Sequence, residues 1–354
     1  MIDTSNTVNR VIQYAEPGTT KTQIAELPVE QPGPGQVLVR LSYSGVCHTD
    51  YGFCTLKFNN LPIPTPKGQI GGHEGVGQII ALGEGVETPA IGSKVGIKYA
   101  ADACLSCSNC LEGGETSCSF VKVSGYLTPG TFQQYCLSAA RYVTPIPDGL
   151  DLAGAAPLMC GGVTVYAALK RVALRNGDWV VVTGAGGGIG HLAIQYAKAL
   201  GARVLALDAG PKKSFCIGLG ADEFVDFMAH GSSEDLISTV KTLTGGGAKT
   251  VLMCSSSNKA YAQAIPMLGF RGSLCCLGVP EGENVPIEGA KVTALIDLEL
   301  SIFAIKTGNR REAKEALELA ARGLVKSHYQ VRKMEDLTKV SSDTVSNPSD
   351  NLRF

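Results

Sequence analysis

The chain has no apolar run of about 18 residues or more, so it offers no candidate for a membrane-spanning helix. It has no charge excess either. Thirty-one Lys and Arg stand against 32 Asp and Glu, a net charge of −1. That balance gives no electrostatic case for nucleic acid or an anionic membrane surface as a partner. The opening segment, MIDTSNTVNR, is polar, with no apolar stretch behind it and no Arg-rich amphipathic start. Neither a secretory nor a transit peptide is expected, and the expected location is cytoplasmic. Histidine is scarce, 5 in 354 residues. Internal repeats and low-complexity tracts are absent. What the chain does have is 12 Cys and 43 Gly. In a reducing compartment, clustered cysteines are metal ligands more often than disulfides.

Four of those cysteines share one short polar stretch, CLSCSNCLEGGETSC: Cys104, Cys107, Cys110 and Cys118. The spacing C-x2-C-x2-C-x7-C lets a single loop wrap one tetrahedral ion. A shell of four thiolates leaves Zn²⁺ no position for a substrate, so this site is expected to hold a loop together. The alternative is four reduced, unligated surface thiols, which are costly to leave exposed.

The organisation changes near residue 155. Before it, short apolar runs such as QVLVRLSYSGV and GVGQIIALG are broken by Gly and Pro, the pattern of a mainly β domain. After it, six continuous apolar runs (WVVVTG, RVLALD, EFVDF, TVLMCS, GSLCCLG, LSIFAI) alternate with amphipathic helical segments. Buried parallel strands are apolar on both faces, so this half predicts a doubly wound sheet. An amphipathic helix, GNRREAKEALELAARGLV, follows the sixth run. The tail, SSDTVSNPSDNLRF, is polar and is expected to be poorly ordered.

The first strand–helix turn of the second half carries a dinucleotide signature. WVVVTGAGGGIGHLAIQYAKALGARVLALD runs strand, glycine turn, helix, strand, acid. Gly184, Gly187 and Gly190 are the glycines expected to matter, with Gly188 beside them. They permit the tight turn, the approach of a pyrophosphate and close helix–strand packing. Asp208, at the end of the second strand, is positioned to accept from the adenosine ribose hydroxyls and to repel a 2′-phosphate. NAD is therefore expected over NADP, and the neighbouring Lys212 and Lys213 weaken that preference.

A further metal site is spread over three pieces: SGVCHTD (Cys47, His48, Thr49, Asp50), GGHEGVG (His73, Glu74) and PLMCGGVTVY (Cys160). Two of the five histidines lie here. Two thiolates and one imidazole make a three-ligand zinc site with an open fourth position, suited to binding an alcohol or polarising an aldehyde. Asp50 is a candidate to orient His73.

Taken in this order, SGVCHTD, GGHEGVG, the four-cysteine lobe, FQQY, MCGGVTVY and the glycine turn resemble the zinc-dependent medium-chain alcohol dehydrogenases, in the fungal, yeast-type branch. The likeness runs from about residue 10 to about residue 325. It implies an α/β protein: a GroES-like, mainly β catalytic domain (1–158 and 303–354) and a doubly wound Rossmann NAD-binding domain (159–302), with the active site in the cleft between them. It implies two Zn²⁺ per subunit, a catalytic one on Cys47, His73 and Cys160 with Glu74 beside it, and a structural one on Cys104, Cys107, Cys110 and Cys118. His48 matches the contact to the cofactor pyrophosphate, and Thr49 the hydroxyl that takes the substrate proton. Lys213 and Val279 complete the candidate contacts to NAD(H). The implied activity interconverts a primary alcohol and an aldehyde, in a homo-oligomer (dimer or tetramer), with no nucleic-acid or membrane partner.

Three departures qualify the likeness. The yeast-type pattern has a histidine where this chain has Gly52. The substrate loop, YGFCTLKFNNLPIP, lacks the family's tryptophans, so Phe58, Tyr99 and Cys54 become candidate pocket residues. The family's Gly-Arg and apolar strand near the C-terminus are missing. A specialised enzyme for a bulkier or polar substrate is therefore an alternative to an ethanol enzyme. A metal-stabilised protein without activity is a reading of another class, against which the complete ligand sets argue. So is an enone or quinone reductase, against which the Cys/His/Cys set argues.

Overall fold

The computed structural model describes residues 7–57, 61–126, 128–280 and 285–340. Phe58 and the polar tail 341–354 lie outside the described residues. The chain divides into two compact units. The first ends at Val163 and resumes over Asn309–Ala321 and from Ser327; the second comprises Thr164–Gly308 and Arg322–Lys326.

In the first unit, β1 (Val8–Tyr14) and β2 (Thr22–Pro28) form an antiparallel ribbon. β3 (Gln36–Ser44) leads through Val46 and Cys47 into α1 (His48–Thr55). There follow β4 (Gly75–Leu82), β5 (Lys94–Ile97), β6 (Ala100–Asp102), α2 (Ser108–Leu111), β7 (Lys122–Val123), β8 (Tyr135–Ala139), β9 (Thr144–Pro145) and α3 (Leu152–Ala155). A five-stranded antiparallel sheet has the order β8-β3-β4-β5-β9, and β6 pairs with β7. The period of two explains how one strand serves two cores. Val37 and Val39 join Ile79, Val95 and Cys136, whereas Leu38 joins Val29, Ile80 and Ala81.

In the second unit, α4 (Gly161–Val172) precedes β10 (Trp179–Thr183), α5 (Gly190–Ala199), β11 (Arg203–Asp208), α6 (Lys213–Gly218), β12 (Glu223–Asp226), α7 (Ser233–Leu243), β13 (Ala248–Met253), α8 (Asn258–Ala264), β14 (Leu268–Cys276), α9 (Val292–Asp297) and β15 (Ser301–Ala304). The six strands form one parallel sheet, β12-β11-β10-β13-β14-β15. The strand order reverses at β10, as in a doubly wound fold. Val180, Val181 and Val182 are fully buried, which accounts for the unbroken apolar run. Burying each such side chain stabilises the fold by about 1.5–3 kcal/mol. The short helix α9 has no buried residue and carries no periodic signal in the sequence.

α10 (Arg310–Ala321) belongs to the first unit. It buries Ala313, Ala316, Leu317 and Ala320 at helical spacing. Asn309 and Glu312 cap it reciprocally: each side-chain oxygen accepts the other's backbone N–H, at 3.0 and 2.8 Å. Among the described residues no strand follows β15. Residues 327–340 are instead fastened one contact at a time. Tyr329 donates to Asp151 Oδ2 at 2.6 Å, Arg10 pairs with Glu335 at 2.8 Å, and Leu337 packs on Ile12 and Phe132. No single helix among the described residues is long and apolar enough to cross a membrane.

Candidate metal centres and cofactor turn

The first centre is built where β3 hands over to α1. Cys47 is the N-cap of α1, and its N–H donates to Asp50 Oδ2 at 2.9 Å, so the helix start fixes both residues. The other oxygen, Asp50 Oδ1, accepts from His73 Nδ1 at 2.9 Å, with both side chains buried. That bond sets the imidazole tautomer and turns Nε2 the other way. Nε2 is buried and has no hydrogen-bond partner. The ligand atoms of Cys47, His73, Glu74 and Cys160 all lie within 4.8 Å of one another, and the two sulfurs are 4.0 Å apart. Glu74 Oε2 is likewise buried without a partner.

Electrostatics make this cluster unstable as a set of anions. The bond to Cys160 holds the Cys47 thiol well below its usual range, while the same bond and burial push Cys160 well above it. Burial, then the Cys47 charge, drives Glu74 up. Burial pulls His73 down, but Asp50 and Cys47 outweigh it and leave the imidazole raised. A divalent cation would relieve this crowding and satisfy the orphaned Nε2. The soft sulfur and nitrogen donors suit zinc.

The second centre lies in the lobe between β6 and β7. The sulfurs of Cys104, Cys107, Cys110 and Cys118 also lie within 4.8 Å of one another. Cys104 and Cys110 are 3.9 Å apart and Cys104 and Cys118 3.5 Å apart, too far for disulfides. Four sulfurs about 2.3 Å from one tetrahedral Zn²⁺ stand about 3.8 Å from each other, so the spacing fits. The Cys107 N–H donates to the Cys104 sulfur and the Phe120 N–H to the Cys118 sulfur, both at 3.3 Å. Such backbone bonds, led by that of Ser106, hold Cys104 down to about 6, whereas burial among the other thiols pushes Cys110 up to about 12.

The remaining predicted residues of the first unit are placed as follows. Thr49 is half-buried in the first turn of α1, and its backbone N–H reaches the Cys47 sulfur. His48 is exposed, its ring 5.3 Å from that of Tyr51. Tyr99 sets its ring edge-on to His73 at 5.9 Å and stacks on Phe53, so it borders the first centre. Cys54, the other candidate pocket residue, is buried in α1. Its buried thiol donates to the Thr19 carbonyl at 2.9 Å, and burial pushes it up to about 12. Gly52 is buried within α1.

In the second unit the glycine turn joins β10 to α5. Gly184 has φ +60°, and a Cβ on Gly190 would collide with the Gly184 carbonyl and Ala185. The turn therefore requires both glycines, and it leaves backbone open for a phosphate at the start of α5. Gly187 N–H closes the turn on the Gly184 carbonyl at 3.0 Å, with Gly188 next in the chain. Asp208 Oδ2 accepts the Gly186 N–H at 2.7 Å and Oδ1 the Ala209 N–H at 2.7 Å, which locks the carboxylate beside the turn. Lys213 is exposed at the start of α6, and Val279 is 54% exposed after β14. Sequence reasoning missed His191. Fully buried, it donates from Nδ1 to the Gly187 carbonyl at 3.1 Å and braces the turn. Its position in the run after the glycines carries no signal that distinguishes it from a helix-surface histidine.

Comparison with known proteins agrees with this geometry. Residues 33–148 match the family model "Alcohol dehydrogenase GroES-like domain", and residues 188–322 match "Zinc-binding dehydrogenase". Alcohol dehydrogenase 2 of Emericella nidulans is 47% identical over 339 residues, 94% of this chain and 92% of its own. An alcohol dehydrogenase of Schizosaccharomyces pombe is 40% identical over 91% of this chain and 90% of its own. The crystal structure of an NAD-dependent alcohol dehydrogenase superposes with a TM-score of 0.84 at 28% identity, covering 94% of this chain and 95% of that one. The chain belongs to the zinc-binding medium-chain alcohol dehydrogenase family, in its fungal branch.

Proposed function

We propose that the chain interconverts a primary alcohol and an aldehyde with NAD(H), using zinc held by Cys47, His73 and Cys160. The observation that carries this reading is the buried, unpartnered Nε2 of His73, facing two thiols and steadied from behind by Asp50. Bound zinc supplies acidification of an alcohol hydroxyl or polarisation of an aldehyde carbonyl, and bound NAD(H) accepts or supplies the hydride. The protein's own residues do the rest. Cys47, His73 and Cys160 hold the ion, with Glu74 beside them. Thr49 takes the substrate's hydroxyl proton. Tyr99 and Phe53 wall the site with aromatic surface. His48 meets the cofactor pyrophosphate, and Gly184, Gly187, Gly188 and Gly190 let it approach α5. Asp208 accepts from the adenosine ribose and disfavours a 2′-phosphate, with Lys213 beside the same turn and Val279 further along the cofactor. The NAD-dependent relative at 28% identity supports this choice of cofactor. Cys104, Cys107, Cys110 and Cys118 hold a second, structural zinc.

We also propose a cytoplasmic homo-oligomer. The edge strand β15 is exposed, with Ile302 among its side chains, and Val292 and Ile296 of α9 stand in solvent beside it in sequence. An unpaired apolar sheet edge is a surface that a second copy covers well.

The test joins metal content to turnover. The purified chain is expected to hold two zinc ions and to oxidise NADH with aldehydes, followed at 340 nm. Cys160→Ala is expected to lose one zinc and at least about a hundredfold in turnover while its circular dichroism stays native. Native zinc content in that variant, or full activity without the ion, would refute the ligand assignment.

A further inference from the structure

A second carboxylate stands next to the one that ends β11. Asp208 and Asp226 are register partners in the parallel pair β11–β12. Such strands run about 4.8 Å apart and turn paired side chains to the same face. The face is defined by Asp208, which accepts from Gly186 in the glycine turn. Asp226 Oδ1 accepts the Met228 N–H at 2.9 Å. Its Oδ2 reaches the other way, 2.5 Å from where a Cβ on Gly210 would sit. Gly210 opens the turn Gly210–Lys212 that follows Asp208. Two carboxylates, from two strands, therefore flank one turn. The cations of the same segment pull the opposite way: Lys212 lies against Gly186, 3.0 Å from a Cβ built there, and Lys213 is exposed.

We infer that Asp226 is a second determinant of cofactor choice, which repels a 2′-phosphate that Lys212 and Lys213 would otherwise attract. The inference rests on the reading of Asp208 as the ribose-side acid. With Asp208 alone, two lysines would outnumber one carboxylate around this turn. Asp226 restores the balance, and its carboxylate is anchored by the backbone N–H of Met228. A single Asp208 substitution is then insufficient to admit the phosphorylated cofactor freely.

Binding of 2′,5′-ADP and of 5′-AMP, measured by calorimetry, isolates the 2′-phosphate from the chemistry and from the zinc. Asp226→Asn keeps an acceptor for Met228 and removes the charge. It is expected to lower the ratio of the two Kd values by about three- to tenfold, and the effect should shrink as salt is raised. In an Asp208→Ser background the same substitution should lower the ratio further. Asp226→Glu, which keeps the charge, should leave the ratio near that of the wild type. An unchanged ratio for Asp226→Asn at low salt in both backgrounds overturns the inference. So does a shift for Asp226→Glu as large as for Asp226→Asn, because shape and not charge would then be responsible. A wild-type chain that binds 2′,5′-ADP as tightly as 5′-AMP overturns the Asp208 reading itself, and the inference with it.

Discussion

At the scale of the residue, Asp50 does most with least. One oxygen caps α1 through the Cys47 N–H and the other orients His73. A carboxylate suits this double duty because both its oxygens accept. An amide has one acceptor, so Asp50→Asn must turn its NH₂ towards one of two donors. Zinc affinity at the first centre is expected to fall about 10–100-fold, read by competition with a chromogenic chelator, while the four-cysteine site keeps its ion. Equal affinity in variant and wild type would show that the imidazole needs no such support.

At the scale of the element, the four-cysteine lobe and its neighbour α10 raise two separate questions. The lobe contains only the four-residue α2 and one 3-10 turn, and it exposes Leu111 and Phe120. It has little apolar core of its own, so a metal has to close it. Cys107→Ala is expected to lower Tm and remove one zinc while sparing turnover per folded molecule; a variant as inactive as Cys160→Ala would contradict that division. Behind the lobe, Glu115 bonds Arg310 of α10 at 3.0 Å and Tyr142 at 2.9 Å. Lys98 is buried there, donating to the Tyr142 carbonyl at 2.8 Å and Thr144 Oγ1 at 2.7 Å. Burial pulls its ammonium down to about 7. An unfolded lysine titrates near 10.4, so between about pH 7 and pH 10 the unfolded chain binds a proton that the folded chain does not. Stability therefore rises with pH across that window, by at most about 1.4 kcal/mol per unit, and this contribution is absent below it. Lys98→Met should flatten that part of the stability curve, measured by urea unfolding at several pH values. An identical slope in the variant would mean that Lys98 stays charged in the folded state.

At the scale of the whole molecule, the exposed β15 edge and α9 bear on assembly. Val292 and Ile296 are 70% and 69% exposed, more than a chain working alone needs to show. Replacing both with lysine is expected to shift the protein towards monomer in light scattering, with each unit still folded. A wild type that is monomeric at micromolar concentration would remove the oligomer from the proposal.

What the sequence determined by itself was local. The four-cysteine lobe closes its own loop, and the glycine turn lies inside one continuous strand–turn–helix–strand segment, so spacing was enough to read both. The parallel sheet was legible for a similar reason: strands buried on both faces are apolar throughout. Cys47 and Cys160 stand 113 residues apart, and in sequence alone only their donor chemistry and a family likeness connected them. Packing decided that they meet over His73, that Asp50 stands behind the imidazole, and that Cys54 turns to Thr19 instead. Packing also decided that Asp226 sits beside Asp208, because strand register is set by side chains buried between neighbouring strands and helices. Contacts between distant segments depend on how whole faces pack, and no short stretch of chain records that.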